Sequence, residues 1–165
     1  MRISPFVIGH TARDTFGHTK GNPMQVSHIL ETCLYVNDLP AAERFYAEVL
    51  GLTLLSRQPG RHAFFRCGQR MLLLFDPRES SQPGQQFPQH GATGPGHVAF
   101  AVTEAELPRW QAHLQSQNVP VEQIIDWPTG GRSLYFRDPA NNSLELANPR
   151  IWGISESSLL TSETK

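Results

Sequence analysis

The chain has 165 residues, a formal net charge of −1 and two cysteines. That length allows one compact domain with a real core, or two small modules sharing one, and the near-neutral balance without Lys/Arg runs leaves no footprint for nucleic acid or an anionic membrane surface. No apolar run is long enough to span a bilayer and the N-terminus lacks the apolar core of a signal peptide, so a cytoplasmic protein without nucleic-acid or membrane partners is expected.

Residues 1–25 are polar, hold Gly17, Gly21 and Pro23, and show no period able to bury a face. They predict a flexible extension, with Met24 as an alternative start and His10 and His18 in water. From Ile29 to Val36, ILETCLYV has the content of a buried strand, followed by Asp38 as a helix N-cap and Pro40 in the first turn. Ala42, Phe45, Tyr46, Val49 and Leu50 then share one helical face, and Gly51 supplies the left-handed stop. Short strands follow at about 52–56, 61–67 and 70–76, divided by Pro59-Gly60 and Gly68. Cys33 and Cys67 lie in these strand patterns, too far apart for a disulfide framework, and buried inert thiols are expected.

Residues 78–95 are rich in Pro, Gly, Gln and Ser and read as a linker. The pattern then restarts with a strand at GHVAFAV, Gly96 to Val102, and a helix opened by a Thr103/Glu106 capping box with Leu107, Trp110 and Leu114 on one face. Asn118 and Pro120 end it, and strands near 121–126, 132–137 and 142–148 complete a second strand-helix-three-strand unit. The apolar residues of the tail 150–165, Trp152 among them, are available for docking, while its TSETK end should fray.

The two units are copies. GRHAFFRCGQRMLLLFDP, Gly60 to Pro77, and GRSLYFRDPANNSLELANP, Gly131 to Pro149, match at both ends with one residue gained between, so that Leu73 stands where the second copy has Glu145. The first strands also align, placing Glu31 over His97. The predicted fold class is α+β: two tandem βαβββ modules forming a cupped, mostly antiparallel sheet with helices outside. Its domain spans 26–149, with module one at 28–77 and module two at 96–149.

Strand residues alternate between faces. Leu30, Leu34 and Val36 should pack under the first helix and Val98, Phe100 and Val102 under the second, which turns Glu31 and His97 to the opposite face. In the last strand Leu144 and Leu146 take the helix face and Glu145 the opposite one. Two carboxylates and an imidazole on the concave face of an apolar sheet pair are costly to bury unpaired. A divalent cation resolves that cost; carboxylate oxygen and imidazole nitrogen suit Mn, Fe, Ni, Co or Zn, with coordination positions left for substrate.

LETCLYVNDLPAAERFYAEVLGL, then GHVAFAV, then YFRDPANNSLELA, resembles the vicinal oxygen chelate superfamily of glyoxalase I, fosfomycin-resistance and bleomycin-resistance proteins and extradiol dioxygenases. The resemblance covers about Ile29 to Asn148 and implies a metal cup with ligands from the first and last strand of each module. By position these are Glu31, Leu73, His97 and Glu145. His97 and Glu145 match the common ligand types; Glu31 stands where the family usually has His or Gln, and Leu73 cannot coordinate. Edge-to-edge pairing in the family implies a homodimer.

Three readings follow. The first is a metal-dependent enzyme with Glu31, His97 and Glu145 as ligands, acting on two adjacent oxygens of a small-molecule substrate, with Glu145, Glu31 or His62 as catalytic base; isomerisation, epoxide addition and oxygen insertion stay open. The second is a metal-free small-molecule binding and resistance protein, and the third a metal-stabilised structural module. His62 takes the concave face if Ala63 and Phe65 pack under the helix. His90 is read as a loop residue without a partner, with a lid over the cup as the other option. Recurrence of Arg61, Arg66, Arg132 and Arg137 in both copies argues for structural ion pairs, or for an anion clamp at the rim. Tyr35, Phe64, Met71 and Phe75 are expected to line the cup, and Pro128 to Gly131 to form a hairpin turn.

Overall fold

Each module begins with a strand whose chain must cross over a helix before it can pair again, and that constraint sets the topology. The computed structural model describes residues 24–160. The predicted extension, with His10 and His18, lies outside them except for its last two residues, and so does TSETK. In module one β1 (Glu31–Tyr35) leads to α1 (Leu39–Arg44), which runs on as a π turn at Phe45–Val49. The meander β2 (Thr53–Gln58), β3 (His62–Cys67) and β4 (Arg70–Phe75) follows, and α2 (Pro77–Ser80) opens the linker. Module two repeats this with β5 (His97–Ala101), α3 (Leu107–Ser116), β6 (Gln123–Asp126), β7 (Arg132–Arg137) and β8 (Ser143–Ala147). The sheet orders are β1-β4-β3-β2 and β5-β8-β7-β6. Only the crossover pairs β1/β4 and β5/β8 are parallel. The tandem α+β architecture is therefore present.

Local chemistry agrees with the boundaries. Asp38 caps α1 by accepting from the Ala41 N–H, and Gly51 ends it at φ 66°. The Glu106 carboxylate accepts from both the N–H and the hydroxyl of Thr103, the first holding its pKa below the usual range. Trp127 and Gly131 close the β6–β7 hairpin. One face of each sheet is sealed by its helix: Leu34, Phe65, Leu72 and Leu74 pack with Tyr46 in module one, and Leu134, Phe136, Leu144 and Leu146 with Leu114 in module two. Each such side chain contributes roughly 1.5–3 kcal/mol of burial.

Two expectations fail here. Leu30 is 66% exposed because it precedes the first paired position of β1, beyond the helix that should cover it. Cys33 is exposed rather than buried because it points to the face opposite α1, where none of the described residues covers it. Cys67 is half-buried, and burial pushes its thiol pKa up. The tail is fastened at its start, where Pro149–Trp152 forms a 3-10 turn and Arg150 pairs with Glu104; Trp152 stays 80% exposed.

A buried polar seam joins the modules. Asp138 accepts from the Tyr46 hydroxyl, the N–H groups of Ala140 and Asn142, and the Asn142 amide. That amide also donates to the Tyr35 carbonyl, and its oxygen accepts the Gly96 N–H at 2.7 Å. A Cβ on Gly96 would lie 2.7 Å from Leu34 Cδ2, so this position admits only glycine without displacement. His113 adds a ring N–H to the Val49 carbonyl at 2.9 Å. The seam sets the angle between the modules, and neither concave face covers the other: Glu31 and Cys33 on one, and His97, Ala99 and Ala101 on the other, are exposed.

Candidate metal centre and ligand face

His97 opens β5 and Glu145 sits at the middle of β8, one register step further along the same face. The His97 Nδ1–H donates to the Ser143 carbonyl at 3.0 Å, since a carbonyl can only accept. That bond fixes the tautomer and turns Nε2 toward Glu145 Oε2, 3.4 Å away. Glu145 is 5% exposed and its Oε1 is buried without a hydrogen-bond partner. A lone pair and a carboxylate facing each other at this distance repel unless a proton or a cation lies between them. An imidazolium would answer Oε2 and leave Oε1 bare, whereas a divalent cation draws on both groups, so the donor set fits a metal.

Tyr135, absent from the sequence-derived candidates, belongs to this cluster. It lies opposite Glu145 on β7, and its ring stacks along His97 with centroids 6.4 Å apart. Burial, and then the Glu145 carboxylate, push its hydroxyl up to about 12. Strand alternation from Ser133 to Arg137 carried the signal for it.

Glu31 is not brought to this pair. It holds the matching position in module one, opposite Met71 at the edge of the other sheet, and is exposed. Among the described residues no three His, Cys, Asp or Glu side chains are grouped to hold a metal. The expected three-ligand set is therefore divided within one chain, because the seam holds the two concave faces apart.

The concave face of module one is lined by rings and has no carboxylate at the place of Glu145. Leu73 occupies the place of Glu145, paired between Cys33 and Phe64. His62 lies on the concave face as expected, stacked on Phe64 at 4.0 Å, with Ala63 and Phe65 buried beneath. His90 is not partnerless: the linker folds back so that its Nδ1 meets the Tyr35 hydroxyl at 2.9 Å and its ring meets Phe75 edge-on at 4.4 Å. Apolar rings left on an open sheet face recruit the nearest amphipathic side chain, which composition alone does not reveal.

Burial, then the Arg61 guanidinium, lower the His62 pKa. The unfolded chain then takes up this proton before the folded one does. The stability that the neutral ring contributes is whole above the ordinary imidazole range and is lost as pH falls through it toward the folded value. In urea titrations of His62→Phe, stability should fall less steeply than in wild type between about pH 7 and 5. Parallel slopes would show that His62 titrates as an ordinary surface group.

The sequence model of the glyoxalase/bleomycin resistance protein/dioxygenase superfamily matches residues 25–146. The chain belongs to this superfamily. Glutathione transferase FosA of Serratia marcescens is 31% identical over 117 residues, 68% of this chain and 74% of that protein. Metallothiol transferase FosB of Staphylococcus epidermidis is 27% identical over 129 residues, 74% of this chain and 82% of that protein. The crystal structure of lactoylglutathione lyase from Agrobacterium tumefaciens superposes with a TM-score of 0.76 at 45% identity, covering 78% of this chain and 98% of that one. Among the described residues of this superfamily member, no helix is long and apolar enough to cross a membrane.

Proposed function

We propose that this superfamily member is a divalent-metal-dependent enzyme acting on a small molecule through two adjacent oxygens, and that its centre is completed by a second copy of the chain. The observation that carries the reading is the facing pair of His97 Nε2 and Glu145 Oε2 at 3.4 Å, with Glu145 buried and Oε1 unpartnered. His97 and Glu145 hold the ion, Mn, Fe, Ni, Co or Zn, with Glu31 of the second copy as third ligand. When bound, the ion supplies a Lewis acid for the substrate oxygens and for the negative charge that develops on them. The Ser143 carbonyl orients His97, and Tyr135 stands opposite Glu145. Glu145, the second copy's Glu31, and His62, whose pKa is lowered, are the bases able to accept a substrate proton.

Homodimer formation follows from what each chain leaves open. β1 and β5 both end their sheets, and the face beside each is exposed. The ring-lined face of module one and the open face of module two, where Ala99, Ala101 and Ser143 keep the side chains small, are suited to be the two walls of one cup. A twofold arrangement placing one on the other brings Glu31 to the partner's ligand pair twice per dimer. The exposed free thiol of Cys33 suits the reducing cytoplasm, the proposed location.

Mixing two variants tests the reading. Glu31→Ala and Glu145→Ala should each be metal-poor alone. Unfolded and refolded together, they should regain metal in about a quarter of the sites, because each mixed dimer then holds one intact set. A mixture that binds no more than its components, or light scattering showing only monomer, would defeat the shared centre.

A further inference from the structure

Four arginines recur in the two modules, and three are engaged. Arg132 bonds Asp126, Arg137 is gripped by both oxygens of Glu122, and Arg61 reaches Gln85 and the Glu79 carbonyl. The Arg66 guanidinium makes no hydrogen bond, ion pair or ring contact among the described residues. It stands on β3 on the open face of module one, opposite Met71, which is itself opposite Glu31. The twin position, Arg137, is opposite Ser143 and through it His97, so both modules keep a cation at this rim and only the second neutralises it.

Its neighbour distinguishes Arg66 from an ordinary surface arginine. Phe64 lies two residues back on the same face, and residues so spaced are about 7 Å apart. His62 covers one side of the Phe64 ring at 4.0 Å and Phe75 meets it edge-on at 5.3 Å. No further ring lies against Phe64 among the described residues, and it is half-buried. The Tyr35–His90 bond braces Phe75 from behind, so the floor is preorganised.

The geometry points to a ligand face on module one for a flat aromatic carboxylate, with its ring on Phe64 and its carboxylate on Arg66. The spacing along the strand matches the reach from an aryl ring to its carboxylate, and a planar guanidinium takes a carboxylate through two parallel hydrogen bonds. A ringless dianion leaves Phe64 bare, and a neutral aromatic leaves Arg66 unanswered. As a substrate class this assignment rests on the proposed cup, in which module one of one copy lies over the ligand pair of the other.

The test is calorimetric titration of the full-length protein with naphthoate, naphthamide and cyclohexanecarboxylate. Wild type should bind naphthoate best. Arg66→Gln, at an exposed position, should weaken naphthoate at least about tenfold and leave naphthamide unchanged, while Phe64→Leu should weaken both aromatic probes. Equal binding of naphthoate and naphthamide, or no effect of Arg66→Gln on naphthoate, would overturn the assignment. His97→Ala separates it from the metal reading. Naphthoate binding that survives loss of metal supports the ligand face by itself, and a wild type that binds metal but not naphthoate overturns the face alone.

Discussion

Protein purified without added metal will carry a divalent ion, and His97→Ala and Glu145→Ala will each lower its affinity by more than about 100-fold, beyond the loss that an outer-shell partner brings. The expectation rests on two groups that need a cation between them: an imidazole whose Nδ1 is committed to a carbonyl, and a carboxylate 5% exposed with one oxygen unanswered. Because the ion binds the folded chain, metal at a hundredfold excess over Kd should add about 2.7 kcal/mol to wild-type stability. The variants should gain little. Elemental analysis with thermal unfolding reads both quantities. Equal trace metal in wild type and variants would remove the basis of the enzyme reading and favour metal-free binding of a small molecule.

Asp138→Ala will cost about 3 kcal/mol, because one buried carboxylate answers several donors that have no water to turn to. The Tyr46 hydroxyl is among them, and burial, then the Asp138 charge and hydrogen bond, push its pKa far above the ordinary tyrosine range. The Asn142 amide, which also ties Tyr35 and Gly96 across the seam, loses its anchor too. Urea unfolding measures the loss, and a cost below about 1 kcal/mol would mean that packing alone holds the modules together. A seam loosened in this way should also weaken the metal site, since the angle between the modules decides where Glu31 can reach.

Local patterns carried much of this. The repeat of GRHAFFRCGQRMLLLF in GRSLYFRDPANNSLEL, the Asp38 cap, the Gly51 stop and the Thr103/Glu106 box give both modules and nearly every boundary, since they depend on neighbours along the chain. Alternation likewise placed His62, His97 and Glu145 on concave faces, and Tyr135 was readable by the same rule. Apolar character in a strand does not tell which face will find a cover, as Cys33 shows, or where pairing begins, as Leu30 shows.

The order of elements, the doubling and the side of the sheet taken by each candidate ligand were determined by the amino-acid sequence alone, through period and capping. Whether those ligands meet was decided only by tertiary structure. His97 and Glu145 converge because β5 and β8 pair in register, a contact between residues far apart in the chain. Glu31 is kept away by hydrogen bonds around Asp138 and Asn142 and by the missing Cβ of Gly96. Such long-range contacts leave no periodic trace in the chain, and they fix the angle between two modules that the sequence shows only as alike.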